Sequence, residues 1–188
     1  MRKIFWQRVV IDGVKELDLI RKAQIGNEEA LNTLIGEYYQ PVFAYFYKNT
    51  NHYHRSKDLT QEVFIKMVAS ISKYKPTAPF KSWIFTIASN HLKNHYRTSS
   101  RHPECLELPE DIPAIDASVE KIGMAEDIQT ALEHLPPKQK EAIILRYYYD
   151  FSIKEIAKIT STIEPTVKAR IRYSLEKLKK ELEGYDEQ

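Results

Sequence analysis

The sequence predicts an all-α protein: two small helical domains joined by an extended acidic linker, with the C-terminal domain a helix-turn-helix. Three observations carry this prediction. Apolar residues recur at helical spacing in several separate runs of a 188-residue chain that has only 5 glycines to interrupt them. Charge is segregated along the chain although the net charge is only +2. The stretch Ser152–Lys180 reads as two short helices about a tight polar turn.

The charge map divides the chain. Residues 63–103 hold seven Lys/Arg and no acid, residues 104–133 hold nine acids and one Lys, and residues 136–180 hold eleven Lys/Arg against five acids. Two basic poles imply two contacts with a polyanion, and the acidic segment between them must lie away from it. The expected division is an N-terminal arm (1–17), a helical domain (18–97), the linker (98–117) and a second helical domain (118–188).

The first helix is expected over Asp18–Ile25, ending at Gly26. Asn27 caps the next, with Glu28 and Glu29 favourably placed in its first turn and Ala30, Leu31, Leu34, Ile35, Tyr38 and Tyr39 on its buried face. Pro41 is expected to break or kink this run before the aromatic stretch Val42–Tyr47, and Asn49–His54 reads as a turn. A third helix, Ser56–Ser72, turns Leu59, Val63, Phe64, Met67, Val68 and Ile71 inward and leaves Asp58, Gln61, Glu62 and Lys66 outside. After a two-proline loop, Lys73–Pro79, a helix over Phe80–Arg97 has Trp83, Ile84, Ile87, Ala88 and Leu92 as expected core. Its other positions mix Lys81, Lys93 and Arg97 with Asn90, Asn94 and Tyr96, a composition suited to single-stranded nucleic acid. Cations track phosphates, aromatics stack bases and amides read base edges. An indifferent basic surface is the competing reading, and for Trp83 core packing competes equally.

The linker carries Pro103, Pro109 and Pro113 without helical periodicity. Beyond it, helices are expected over Ser118–Leu135 and Lys138–Tyr149, separated by Pro136-Pro137, with Ile143, Ile144 and Tyr147 packing beneath the helix-turn-helix. In that motif Ser152 and Glu155 form a capping-box pattern, Thr160–Glu164 is the turn, and Pro165 sits in a first turn where its missing N–H is not needed. Val167, Ile171, Leu175 and Leu178 form the apolar stripe of a second, basic helix suited to the DNA major groove. The plainer alternative is a helical hairpin with a solvated charged face.

Other classes of function find little support. There is no Gly-rich phosphate loop and no nucleophile with a base, so no enzyme is expected. His91 and His95 stand four apart but lack the further ligand a metal would need, so neither metal nor cofactor is expected. The single cysteine, Cys105, excludes an internal disulfide and suits a reducing cytoplasm. No run approaches the ~20 apolar residues of a membrane span.

Four motifs, in order, resemble the extracytoplasmic-function (group four) sigma factors of bacterial RNA polymerase, in the sigma-70 family. Asp58-Leu59-Thr60-Gln61-Glu62-Val63-Phe64 is similar to the polymerase-binding helix of sigma region two, and Phe80-Lys81-Ser82-Trp83-Ile84-Phe85-Thr86-Ile87-Ala88-Ser89-Asn90 to the segment that melts and reads the minus-ten element. Leu135-Pro136-Pro137-Lys138-Gln139 resembles the opening of region four; Glu155-Ile156-Ala157 and Thr166-Val167-Lys168-Ala169-Arg170 resemble its helix-turn-helix.

The resemblance implies a division of labour. Asp58, Gln61 and Glu62 would face the clamp helices of core RNA polymerase. The Lys73–Pro79 loop would pocket a base flipped from the non-template strand, and Lys73, Tyr74, Lys75, Lys81, Asn90, Lys93, Asn94 and Arg97 would contact the minus-ten DNA. Thr166, Lys168, Ala169, Arg170, Arg172 and Tyr173 would meet the minus-thirty-five element. The acidic linker would follow the RNA-exit path of the polymerase, and an anti-sigma protein would hold the free chain. Phe151 and Pro165 depart from the family by standing where Gly is common, and Ala169 stands where a polar residue is frequent. The other reading of the whole chain is a one-component helix-turn-helix regulator whose N-terminal domain is a helical sensor.

Overall fold

The computed structural model describes residues 13–99 and 126–183, and among these residues every regular element is helical. The elements are α1 (Gly13–Gln24), α2 (Glu28–Thr50), α3 (Tyr53–Ser70), a 3-10 turn (Ile71–Lys73), α4 (Phe80–Ser99), α5 (Glu126–Glu133), α6 (Pro137–Tyr147), α7 (Ile153–Ile159) and α8 (Glu164–Glu183). The described residues form two compact units, one of residues 13–46 and 54–99, the other of residues 126–183 with the short stretch 47–53. The expected linker beyond Ser99 and the start of the helix expected at Ser118 lie outside the described residues.

In the first unit α1 begins at Gly13, earlier than expected, so the last residues assigned to the arm are helical. It ends where glycine permits: Gly26 has φ +86°, and the Asn27 N–H donates to the Lys22 carbonyl (3.0 Å), closing the helix end. Asn27 then caps α2, its Oδ1 accepting the Ala30 N–H at 2.8 Å.

Of the break or kink expected at Pro41, no break occurs: α2 runs through it as one helix of 23 residues. An interior proline costs about 3 kcal/mol through its lost hydrogen bond and ring clash. The five residues after it, Val42, Phe43, Ala44, Tyr45 and Phe46, are all buried. Each large one contributes roughly 1.5–3 kcal/mol by leaving water, enough to offset the proline.

The core of this unit is aromatic. Tyr45 packs edge-on against Phe85 (5.5 Å between centroids), and Tyr38 against Phe80 (5.4 Å). The Tyr38 hydroxyl donates to Glu16 Oε1 at 2.5 Å, docking α1 on α2. Burial, reinforced by that carboxylate, drives its pKa far above the ordinary tyrosine value.

The second unit is built on α6, in which Ala142, Ile143, Ile144 and Leu145 are buried in a continuous run. Tyr147, expected beneath the helix-turn-helix, is 57% exposed, and Tyr149 and Phe151 fill the core in its place. The left-handed backbone falls on Asp150 (φ 57°), one residue before Phe151, so Phe151 needs no glycine-like freedom. The capping box forms as the sequence predicts: Ser152 Oγ accepts the Glu155 N–H (3.2 Å) and Glu155 Oε2 accepts the Ser152 N–H (2.9 Å). In α8 the buried stripe is Val167, Ile171 and Ser174, with Leu175 43% exposed. The helical period favours i, i+4, i+7 over the expected i, i+4, i+8.

Candidate nucleic-acid and partner interfaces

Three surfaces carry the residues that the sequence singled out. The first is the outer face of α3. Leu59, Val63, Phe64, Met67 and Ile71 turn inward as expected, with Ser56 and Thr60 beside them. Asp58, Gln61 and Glu62 are exposed. Val68 is not core: it is 45% exposed, and Ile65 is 70% exposed. At about 100° per residue, Asp58, Gln61, Ile65 and Val68 share one outward strip. It is an acidic and amide edge with an apolar continuation, which the stripe expected from Val68 had concealed. Glu62 lies at the border of this strip, its Oε2 2.9 Å from His91 Nδ1 of α4. That contact accounts for His91, and among the described residues no three His, Cys, Asp or Glu side chains are grouped to hold a metal ion.

The second surface is the loop after α3 together with α4. Lys73 and Lys75 are exposed, as are Pro76, Thr77 and Pro79. Tyr74, expected as a DNA contact, is instead buried under the loop. Its ring packs on Phe80 (5.4 Å) and Trp83 (5.0 Å), and its hydroxyl donates to the Ala78 carbonyl at 2.7 Å. Burial raises its pKa, with Glu16 adding a smaller push. Tyr74 therefore shapes the loop from beneath, and Lys73, Lys75 and Thr77 form its rim. Along α4, Asn90, Lys93, Asn94 and Arg97 fall within ~100° of one another and form one polar face, exposed at Asn90, Asn94 and Arg97 and half-buried at Lys93. Lys81 is half-buried and points roughly opposite Arg97, so it does not join that face. Trp83 and Ile87 are half-buried where core was expected, while Phe80 and Phe85 are core that the sequence reading omitted.

The third surface is the helix-turn-helix. α7 closes on Ser161 in the left-handed region (φ 48°), with the Thr162 N–H donating to the Ala157 carbonyl at 2.8 Å. Pro165 is the second residue of α8, where it costs no hydrogen bond. Away from the buried stripe stand Ala169, Arg172 and Tyr173, with Thr166 to one side of them, and Arg172 and Tyr173 are exposed. The Arg172 guanidinium lies 4.8 Å over the Tyr173 ring and 3.8 Å from Glu176. Lys168 and Arg170 flank this face, about 160° apart, so they serve different sides of the helix. Lys168 shares a groove of about 590 Å³ with Lys154, Lys158, Thr162 and Ile163. Lys154 and Lys158 were missed because charged residues on a short helix read as mere solvation.

Residues 34–102 match the family described as Sigma-70 region 2, and residues 125–178 match Sigma-70, region 4. The chain is 30% identical to the ECF RNA polymerase sigma-E factor of Haemophilus influenzae over 172 residues, covering 81% of this chain and 87% of that protein. It is 30% identical to the ECF sigma factor SigE of Mycolicibacterium smegmatis, of which it spans 59%, and 26% identical to BldN of Streptomyces coelicolor, of which it spans 62%. Its fold is similar to the solved structure of CnrH in complex with the cytosolic domain of CnrY, with a TM-score of 0.67 at 20% identity, covering 90% of this chain and 97% of that one. It is also similar to the sigma factor RpoE of Bartonella quintana in complex with the anti-sigma factor NepR, with a TM-score of 0.65 at 22% identity, covering 81% and 96%. The chain belongs to the extracytoplasmic-function sigma factors of the sigma-70 family.

Proposed function

We propose that this chain is a promoter-specificity subunit of RNA polymerase, binding without catalysing. The observation that supports this most directly is the pairing of two unlike basic surfaces in one chain. One is an amide-rich face on α4 beside a preformed loop, and the other is a helix-turn-helix. A helix-turn-helix regulator with a sensor domain needs only the second.

In this reading Asp58, Gln61 and Glu62 meet core polymerase, with Ile65 and Val68 as the apolar part of the contact. The first unit holds the melted minus-ten strand. The loop rimmed by Lys73 and Lys75 receives an extruded base, while Asn90, Asn94, Lys93 and Arg97 follow the strand. Extrusion costs a few kcal/mol of unstacking, which base and phosphate contacts offset. The second unit reads the minus-thirty-five duplex. Thr166, Ala169, Arg172 and Tyr173 reach base edges, with the Ala169 methyl suited to a thymine methyl, and Lys168 and Arg170 reach the two flanking backbones. In sequence, the acidic residues after Ser99 stand between the two units and serve as the linker in this reading. An anti-sigma protein covering the α3 and α4 faces would compete with polymerase. No described helix is long and apolar enough to cross a membrane, and the proposed site of action is the cytoplasm. The test is run-off transcription with purified core polymerase on genomic promoter fragments. The chain is expected to confer discrete start sites on a core enzyme that has none alone; the absence of any chain-dependent transcript would refute the proposal.

A further inference from the structure

Gln24 stands at the last position of α1, and its side-chain nitrogen reaches across to the loop that follows α3. Nε2 lies 3.1 Å from the Ile71 carbonyl and 2.7 Å from the Tyr74 carbonyl. Both partners are acceptors, so the amide must present its NH2 group, and both hydrogens are used. The Ile71 carbonyl also accepts the Tyr74 N–H (3.0 Å), which fills its two lone pairs. The Ile71 carbonyl thus closes the 3-10 turn and is held from outside it as well, while the Tyr74 carbonyl lies just past the turn's end. From there the chain is pinned again where the Tyr74 hydroxyl donates to Ala78, leaving Lys75, Pro76 and Thr77 raised between two fixed points. The glycine stop just after Gln24 and the Tyr38–Glu16 bond hold α1 itself in place.

We propose that Gln24 is a positioning residue that presets this loop to receive an unstacked base. The inference rests on the reading of the loop given above, and adds to it that α1, distant in sequence, sets the pocket's shape. A loop already in its bound form avoids the ordering cost of binding. Gln24 touches no base itself; it acts through the two carbonyls.

The experiment uses holoenzyme formed from core polymerase and the full chain. A strand is selected by the wild-type holoenzyme from a random single-stranded DNA pool, then remade with each nucleotide in turn abasic. The wild type is expected to lose affinity sharply at one abasic position, the one that fills the loop. In Gln24→Glu a carboxylate oxygen faces two carbonyls, and in Gln24→Asn the amide is withdrawn by one methylene. Both variants are expected to bind the intact strand about tenfold more weakly, the scale of one lost hydrogen bond. Both should bind the strand that is abasic at the sensitive position as tightly as the wild type does. Equal weakening on intact and abasic strands would mean general damage and would overturn the proposal, as would variants that bind like the wild type. If no position is sensitive in the wild type, the loop takes no base and the underlying reading falls first. Helical circular dichroism and a cooperative urea melt report whether the first unit of each variant is folded.

Discussion

His91 of α4 and Glu62 of α3 meet at 2.9 Å between Nδ1 and Oε2, tying the two helices together within the first unit. The pair is partly exposed, with side-chain accessibilities of 25% and 56%, so its net contribution is modest. A double-mutant cycle of Glu62→Ala and His91→Ala is expected to give a coupling energy below about 1 kcal/mol in urea unfolding. The bond's role is to fix the angle of Glu62 at the edge of the strip, and a coupling of several kcal/mol would contradict that.

The apolar end of the α3 strip should matter to partner binding and not to stability. Ile65→Asp is expected to leave the unfolding free energy within about 0.5 kcal/mol of wild type and to weaken core-polymerase binding at least about tenfold, since one desolvated anchor commonly exceeds 1 kcal/mol. Met67→Ala, two positions on and fully buried, should do the reverse, costing about 2–5 kcal/mol of stability. Fluorescence anisotropy against core enzyme, paired with denaturant melts, separates the two.

The two faces of the helix-turn-helix should differ in kind. Lys154→Ala and Lys158→Ala are expected to weaken binding to all duplexes alike and to reduce the slope of log affinity against log salt by about 1 each. Arg172→Ala should cost roughly 1–3 kcal/mol on the preferred site and relax discrimination at one base pair. Salt titrations on specific and scrambled duplexes tell these patterns apart.

The buried tyrosines set an alkaline limit. Burial raises the pKa of Tyr149 well above its ordinary value of 10, and that of Tyr38 likewise. Unfolded, both ionise near pH 10; folded, both stay protonated. The stability they add is therefore complete below about pH 10 and is lost as pH rises beyond it. Tyrosinate absorbance at 295 nm should show a late fraction that appears only together with loss of helical circular dichroism. Complete ionisation ahead of unfolding would contradict their burial.

Much of this architecture was legible because local rules and tertiary packing agree. The Ser152–Glu155 box, the Asn27 cap and the Gly26 stop are short-range chemistry, and each forms as the residues predict. At Pro41 the sequence left a break open, and the burial of the aromatic run after it, which no window of a few residues reveals, keeps the helix continuous. Val68 and Leu175 misled because an apolar residue one step off the stripe looks like part of it. Tyr74 was legible as part of an important loop but not as its floor. Gln24 was invisible, since its partners Ile71 and Tyr74 are distant in sequence and are engaged through backbone carbonyls that carry no side-chain signature.

The claim that one chain holds a melted strand with its first unit and a duplex with its second is tested most directly by permanganate footprinting of thymines on a promoter fragment. Core polymerase with the wild-type chain should make thymines of the minus-ten element reactive. Replacing Asn90 and Arg97 with Ala should abolish that reactivity while the minus-thirty-five duplex remains protected from nuclease. Loss of protection at both elements together, or thymine reactivity undiminished in the double variant, would contradict the account.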